Sequence, residues 1–354
     1  MRILHGYVGR VFLLNWWTAN LVLAGLVAFL DLARELDDIG EGSYGFSQAL
    51  LHVLLRIPGH MFELAPTSAF LGGIGAIGLL SQHQEILALR ACGISVLSIG
   101  WSILVSSVPV LLVSILCGQF LIPPLEQTAW ISRVTALSPW GTFLPEEGFW
   151  TRGHGVFVNL YRDARMGKDV VDMYYLDASE NVTRYITAVV SVTDDQWRLT
   201  DTRDVYVGKP VAAATGEMEP ARLLDQLLTP GQAEELSLPA ETLSFSELVD
   251  SIRLLHKKGQ NAGRYELALW KMLAMPVWTA GMLLFSLIFS IGFSRGLRYS
   301  HRIMAGSVLG IGLYYANQIG GYAGLIHGIP AAWTTLFPGF LLLVVSLWWI
   351  RRKG

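Results

Sequence analysis

The chain has 354 residues, of which 52% are hydrophobic and only 15% are charged, and its mean hydropathy is +0.44. A soluble protein typically carries about 25% charged residues. The shortfall is concentrated in long uncharged runs, which predicts a membrane protein with one more polar region. The net charge of -2 gives no basic field for nucleic acid. Cys92 and Cys117 lie in or beside apolar runs and provide neither a disulfide framework nor a cysteine-based metal site.

Uncharged runs predict six transmembrane helices. The first, Val11–Leu30, is long enough to cross about 30 Å of hydrocarbon as a helix. It lacks the short apolar core and small-residue cleavage site of a signal peptide, so we expect it to be retained. The other runs cover 64–80, about 95–121, 272–294 and 303–350. The last run is too long for one helix, and the turn signal HGIP (327–330) divides it into two.

The ends of these runs give further predictions. Pro123 and Pro124 are expected to end the third helix, because proline cannot continue the hydrogen-bond ladder. The half-apolar stretch 46–63 either lengthens the second helix or lies along the membrane interface.

No Asp, Glu, Lys or Arg occurs within the predicted spans. This disfavours an ion-coupled carrier, which usually needs such a group near the membrane midplane.

Lysine and arginine in the short flanks set the orientation. If the N-terminus lies in the cytoplasm, the flanks outside the cell membrane carry only two such residues, Arg34 and Arg56. The cytoplasmic flanks then carry nine lysines and arginines, which are Arg2, Arg10, Arg90, Arg295, Arg298, Arg302, Arg351, Arg352 and Lys353. Both termini are therefore predicted to be cytoplasmic, and residues of about 125–265 to lie on the other side of the membrane.

The polar insert between the third and fourth helices has a strand-like pattern. Short β-branched and aromatic runs with alternation occur at 155–163, 169–177, 182–194 and 196–209. They predict an all-β domain of sandwich or jelly-roll type. A helix is then expected at about 244–258, with Ser244 or Ser246 as its N-cap and Gly259 beyond its end. The predicted domains are 1–124 (helices one to three), 125–262 (the β domain and connecting helix) and 263–354 (helices four to six).

The sequence contains no recognised catalytic motif. The stretches MGKD and VGKP lack the glycine spacing and the hydroxyl residue of a nucleotide-binding loop, and no H-E-x-x-H motif occurs. Aspartate pairs such as Asp194–Asp195 lack the spacing of a calcium loop and occur where β-turns are expected. These features argue against an enzyme and against an ATPase.

The segment SQHQEILALRACGIS (81–95) leaves the apolar runs for about fifteen residues on the predicted cytoplasmic side. The stretch EILALRA favours a helix, and Gly93 is predicted to end it. Its apolar residues cover an arc too wide for a helix free in water. They are Ile86, Leu87, Leu89 and Ile94. Two interpretations stay open, namely a turn lying on lipid headgroups, or a short helix inserted into a groove of a soluble partner.

Several stretches resemble one family. QEILALRACGIS (84–95) resembles the cytoplasmic coupling segment of the lipopolysaccharide export permeases LptF and LptG. LSFSELVDSIRLLHKKGQNAGRYELALWKMLAMP (243–276) is similar to the stretch that leads into the fourth helix of the LptG branch. GEGSY (40–44) and HGIP share this likeness, which extends over the whole chain.

The resemblance implies an α-helical inner-membrane protein of a Gram-negative cell, with six transmembrane helices and a periplasmic β-jellyroll domain. It implies a non-catalytic permease subunit that pairs with LptF and is driven by a dimer of the ATPase LptB. Such a subunit takes lipopolysaccharide from the outer leaflet of the inner membrane and passes it through LptC to LptA. No cofactor is expected in this chain, because ATP and magnesium bind to the partner ATPase.

Two other functions remain as alternatives. One is a mechanotransmitting subunit, in which a separate ATPase moves a periplasmic domain without transporting lipid. Six helices argue against it, because few would be needed merely to relay motion. The other is a membrane enzyme acting on envelope polymers, which the missing catalytic constellation disfavours.

By position, the resemblance implies a coupling role for six residues of the segment 81–95. They are Glu85, Ile86, Leu89, Arg90, Ala91 and Gly93. Glu85 and Arg90 are the candidates for polar contacts with the ATPase, and Ile86 and Leu89 are the candidate apolar anchors.

Four residues are implied candidates for binding lipopolysaccharide, namely Arg34, Arg133, Arg302 and Phe62. The charge rule places Arg302 on the cytoplasmic side, which conflicts with a lipid role. The chain also departs from the family pattern. Ala28 or a neighbour stands where some members have a lysine, and residues 35–38 are acidic where others have lysines. Arg34 therefore has Asp37 and Asp38 as alternative partners.

Overall fold

A computed structural model describes residues 2–137, 149–153, 156–163, 168–176, 182–193, 196–206, 224, 238–257, 259–290 and 299–353. The chain divides into two compact units. The first comprises Met1–Asp37, Val53–Glu126 and Gly263–Gly354, and the second comprises Asp38–His52 and Gln127–Ala262.

Helices dominate the described residues. They are α1 (Arg2–Glu35), α2 (Phe46–Glu63), α3 (Ala65–Gln82), α4 (Glu85–Ala91), α5 (Val96–Leu116), α6 (Ile122–Leu137), α7 (Phe245–Lys257), α8 (Gly263–Ile288), α9 (Tyr299–Ile326) and α10 (Ala331–Lys353). A π-helical turn, Cys117–Leu121, joins α5 to α6.

Within the described part of the chain, four helical stretches are long and apolar enough to cross a membrane. They are Gly6–Glu35, Ser98–Leu137, Gly263–Ile288 and Ala331–Arg352. Helices α2 and α3 qualify as a pair bent by 63°, which raises the number to five. Helix α9 has 28 residues but is not apolar enough, because Asn317, Gln318 and several glycines and tyrosines dilute it. A total of six spans therefore stays a prediction.

The predicted helix stop at Pro123 and Pro124 is wrong. The chain continues from α5 through the π turn into α6, which gives one helical stretch of 40 residues from Ser98 to Leu137. In the π turn the N–H of Ile122 donates to the Cys117 carbonyl, five residues earlier. The two prolines fall in the first turn of α6, directly after the π turn, so the helical stretch continues through two positions that lack an N–H donor.

Helix α3 is the centre of the first unit. It packs against α1, α8 and α9, and almost all of its residues from Ala65 to Gly78 are buried. Small residues allow this close approach. A Cβ added at Gly72 would lie 2.7 Å from the backbone nitrogen of Trp16. Around this contact Phe12, Trp16, Ile77 and neighbouring residues form the main apolar core of the unit.

The second unit contains a five-stranded antiparallel sheet in the sequential order β1-β2-β3-β4-β5. The strands are β1 (Phe149–Gly153), β2 (Val156–Asp163), β3 (Lys168–Leu176), β4 (Val182–Thr193) and β5 (Gln196–Tyr206). The four runs predicted as strands are confirmed, and β1 was not predicted. A jelly-roll needs a second packed sheet. The described residues form a single sheet, so the jelly-roll stays a prediction.

The two faces of the sheet differ. Val158, Met173 and Ile186 are fully buried on one face. On the other face Asp172 is buried, and the hydroxyl of Thr187 donates to its carboxylate at 2.5 Å. Burial raises the pKa of Tyr185 to about 12, and the nearby carboxylate of Asp172 contributes to the same direction. A buried carboxylate is tolerated here because it is hydrogen-bonded.

The connecting helix α7 begins and ends as the sequence indicates. Ser244 is its N-cap, since the Ser244 N–H donates to Glu247 Oε2 at 2.7 Å and the Glu247 N–H donates to Ser244 Oγ at 3.4 Å. This reciprocal pair is a capping box. Beyond the helix Gly259 has φ +64°, and the N–H of Gln260 donates to the Leu255 carbonyl at 2.9 Å.

Candidate functional site

The segment 81–95 forms the short helix α4 between α3 and α5. Gly93 has φ +81°, a left-handed conformation that favours glycine, and it ends α4 as predicted. Ser95 then caps α5, because its Oγ accepts the Ser98 N–H at 3.2 Å. The chain thus leaves one long helix, forms two turns of helix and enters the next.

The apolar residues of α4 divide into two groups. Ile86, Leu89 and Ile94 are partly buried against the core that contains Val8 and other residues of α1. Leu87 points away, and 67% of its surface is exposed. The two predicted anchors, Ile86 and Leu89, therefore contact the chain's own helices, and Leu87 is the residue available to another molecule.

The polar members of the predicted coupling set differ in their surroundings. Glu85 accepts a hydrogen bond from the hydroxyl of Tyr7 at 3.0 Å, which connects α4 directly to α1. Ala91 and Gly93 are exposed. The side chain of Arg90 lies outside the described residues. Sequence reasoning missed Tyr7 because 78 positions separate it from Glu85.

Three basic side chains surround one carboxylate where α1 meets α2. His60 Nε2 donates to Asp31 Oδ2 at 2.7 Å, and the side chain of His60 is only 9% exposed. Arg34 and Arg56 each lie 3.7 Å from Asp31, with side chains 81% and 41% exposed. The predicted lipid residue Arg34 is thus one of three basic side chains around Asp31. Arg56 and His60 were not among the predicted site residues.

The other predicted lipid contacts are separate from this cluster. In the second unit, Arg133 forms an ion pair with Asp38, so Asp38 is not the partner of Arg34. The backbone of Arg302 lies in α9, and its side chain lies outside the described residues. Any anion that binds Arg133 would have to compete with Asp38.

Phe62 lines a cavity of about 310 Å³ within the first unit. The cavity lies between α1, α2 and the α5 region, and its walls include Trp16, Trp17, Val110 and Cys117. This volume falls at the lower end of the range for small-molecule sites, about 300–1,000 Å³. Its lining is almost entirely apolar, so it suits part of a lipid better than a polar solute.

An ionisable group does occur in a membrane-length helix, contrary to the sequence analysis. Helix α8 begins at Gly263, nine residues before the predicted start of the fourth span, so Lys271 lies inside it. The ammonium of Lys271 donates to Gln318 Oε1 at 2.7 Å and lies 4.3 Å from the Tyr322 ring centroid. This pairing ties α8 to α9 and gives the lysine a structural role.

The part of the chain that the structure describes contains no candidate metal site. No group of three or more His, Cys, Asp or Glu side chains there could hold a metal ion.

Several apolar helices of membrane-spanning length define an integral membrane protein of several spans. The model of the family described as lipopolysaccharide export system permease LptF/LptG matches residues 6–352, and the chain belongs to this family.

Two relatives extend this result. The lipopolysaccharide export system permease protein LptG of Haemophilus influenzae is 29% identical over 355 residues, which cover 99% of this chain and 98% of that protein. The protein of the same name from Escherichia coli K12 is 26% identical over 358 residues, which cover 99% of both chains. The similarity therefore includes both the helical unit and the β unit.

Proposed function

We propose that this chain is the non-catalytic permease subunit of a lipopolysaccharide exporter in the inner membrane. The observation that carries this proposal is the family match over residues 6–352, supported by LptG relatives whose whole length aligns with this chain. The apolar helices and the apolar cavity suit a protein that handles lipid. A second role, in which the chain only relays motion to the β unit, has no observation in its favour.

Energy comes from a separate ATPase, the LptB dimer, which contacts α4. Three features support this step. The sequence has no nucleotide-binding loop. Leu87 offers an apolar side chain to a partner groove. Ile86 and Leu89 pack on the core shared with α1, so a displacement of α4 would be transmitted to α1 by packed side chains.

The same family membership supports the expected partners. LptF forms the other half of the membrane part, and lipopolysaccharide passes from the outer leaflet through LptC to LptA. The β unit lies in the periplasm and both termini lie in the cytoplasm, as the excess of lysine and arginine in the internal flanks indicates. The exposed guanidinium groups of Arg34 and Arg56 suit the phosphates of the lipid.

Glu85→Ala tests the coupling step. The chain is purified with LptF and LptB, reconstituted with lipopolysaccharide, and supplied with ATP and with LptA as acceptor. We expect the variant complex to assemble and to hydrolyse ATP, while lipid transfer falls at least about tenfold, because an uncoupled motor does no work on the permease. The matched control is Gln82→Ala, an exposed residue just before α4, which should transfer lipid normally.

Three results would contradict the proposal. The chain could fail to co-purify with LptF and LptB, which removes the exporter assignment. Glu85→Ala could transfer lipid at the normal rate, which removes its coupling role. ATP could move the β unit while no lipid reaches LptA, which would favour the motion-relaying role instead.

A further inference from the structure

In the second unit, the loop 38–44 presents a carboxylate to Arg133, which lies near the end of α6. Asp38 Oδ2 accepts from Arg133 Nη2, so the two side chains form a hydrogen-bonded ion pair. The side chain of Arg133 is 25% exposed and that of Asp38 is 32% exposed. Ion pairs that solvent reaches are modest in strength. Another anion can therefore approach Arg133 and replace the carboxylate.

The loop is held on the end of α6 by contacts that do not involve this ion pair. The N–H and the hydroxyl of Ser43 donate to the Ala136 carbonyl at 2.9 Å and 3.2 Å, which caps the helix. Gly42 has φ +54°, and a Cβ added there would lie 2.7 Å from the same carbonyl oxygen. Tyr44 is 2% exposed and packs with Ala136. The loop thus keeps Asp38 beside Arg133 whether or not the ion pair is formed.

A carboxylate held in this way competes with every anion that binds Arg133 from outside. Because the loop keeps it close, Asp38 acts at a high effective concentration. The apparent affinity for an external anion is reduced by the fraction of molecules in which Asp38 has left the guanidinium. A phosphate monoester has up to two negative charges and three acceptor oxygens, so it can replace a carboxylate on an arginine. Asp38 therefore weakens the binding of phosphate without preventing it.

We propose that Asp38 is an autoinhibitory counter-ion of Arg133, which a phosphate monoester must displace in order to bind. This inference rests on the proposed lipid-export function, because it takes Arg133 as a contact for lipid phosphate. A ligand that is passed on must leave its site as well as enter it. When the phosphate departs, the carboxylate of Asp38 returns to the guanidinium and opposes rebinding.

Chemical modification of Arg133 tests the proposal at a single residue. The complex of this chain with LptF and LptB is held in nanodiscs of phosphatidylcholine and treated with phenylglyoxal, which reacts with accessible guanidinium groups. Mass spectrometry of the peptides gives the modification rate of Arg133. Arg253, whose side chain is 72% exposed, is the internal reference in the same digest. The probe is dihexanoyl phosphatidic acid, a water-soluble lipid that carries a phosphate monoester.

Asp38→Asn removes the charge and keeps the size of the side chain. Without the probe, we expect Arg133 in this variant to be modified at least about threefold faster. Half protection of Arg133 should need a probe concentration at least about threefold lower than in the unmodified chain. The matched control is Glu41→Gln, which removes the same charge from an exposed position of the same loop and should behave like the unmodified chain. The modification rate of Arg253 should stay the same in both variants.

Two results would overturn the proposal. One is a half-protecting concentration that is no lower in Asp38→Asn than in the unmodified chain, which includes a complete lack of protection. The other is an equal gain in Glu41→Gln, because a general effect of charge would then explain the change.

Glycerol phosphate, which has the same monoester but no acyl chains, distinguishes the sources of the phosphate. Protection by glycerol phosphate at the same concentration as the lipid assigns a soluble phosphate ester to Arg133, and protection by the lipid alone assigns a lipid headgroup. Either result supports the competition by Asp38. The readout needs neither ATP nor transport, so a failure of this inference is distinguishable from a failure of the exporter assignment.

Discussion

Glu85 is the residue at which the helix α4 and the first membrane helix meet. The hydroxyl of Tyr7 donates to its carboxylate at 3.0 Å. A partner that engages Glu85 must compete with Tyr7 or move both residues together. Either response would connect the partner ATPase to α1. Helix α1 also contributes Trp16 and Asn20 to the lining of the cavity.

Tyr7→Phe tests this connection. The variant keeps the ring and loses only the hydrogen bond to Glu85, so the complex should assemble and hydrolyse ATP normally. We expect lipid transferred per ATP hydrolysed to fall several-fold, because α4 then moves without α1. Tyr315→Phe is the matched control, since Tyr315 is 59% exposed on α9. An unchanged transfer ratio in Tyr7→Phe would show that the hydrogen bond has no role in coupling.

The basic side chains around Asp31 are expected to differ in their contribution to stability, because His60 is buried and Arg34 is exposed. Asp31→Asn removes the charge from a largely buried hydrogen bond to His60, and we expect a loss of about 2 kcal/mol in the free energy of unfolding. Arg34→Gln removes an ion pair in which the exposed guanidinium lies 3.7 Å from Asp31. This variant should lose less than about 1 kcal/mol in the free energy of unfolding. Denaturant titration of the purified chain measures both. A larger loss in Arg34→Gln than in Asp31→Asn would reverse these roles.

Local motifs allowed the sequence to predict residues that act with their immediate neighbours. Gly93 and Ser244 are of this kind, because a helix end depends on a few adjacent residues. Tyr7, His60 and Asn20 were missed as site residues, because their partners lie between 29 and 78 positions away. A single sequence contains no local signal for such pairs.

At the level of elements, alternation predicted four strands but not β1, whose five residues are too few to show a period. The prediction of a helix stop at Pro123 failed because a π turn directly precedes the two prolines and the helical stretch continues through them. A single sequence gives no signal for such a turn. Helix α9 illustrates the opposite problem. It is long enough to span a membrane, yet polar residues such as Gln318, which accepts a hydrogen bond from Lys271 of α8, lower its hydropathy, so hydropathy alone does not identify it.

The packing of α1 on α3 gives a prediction for helices as units. Gly72→Ala would bring a Cβ to 2.6 Å from the Trp16 Cα atom, so the helices must separate. Overpacking of this kind costs about 1–3 kcal/mol. We expect a lower melting temperature for the purified chain. Gly25→Ala is the control on α1, because an added Cβ there meets nothing within 4 Å, and it should be neutral or slightly stabilising. Equal effects in the two variants would contradict the close contact.

For the whole molecule, composition and charge were the most informative features of the sequence. The uncharged runs indicated a membrane protein, and the nine lysines and arginines in the internal flanks, against two in the external flanks, predict its orientation. They could not reveal that the segment Asp38–His52 belongs with the β unit, because that grouping depends on contacts between distant parts of the chain.

The central claim is that α4 takes force from a separate ATPase. It is tested most directly by a photo-crosslinking amino acid at position 87, since Leu87 is the exposed apolar residue of α4. In membranes that contain the whole complex, we predict a crosslink to LptB whose yield changes when ATP is bound. Crosslinks to lipid alone, with none to LptB under any nucleotide condition, would contradict the account.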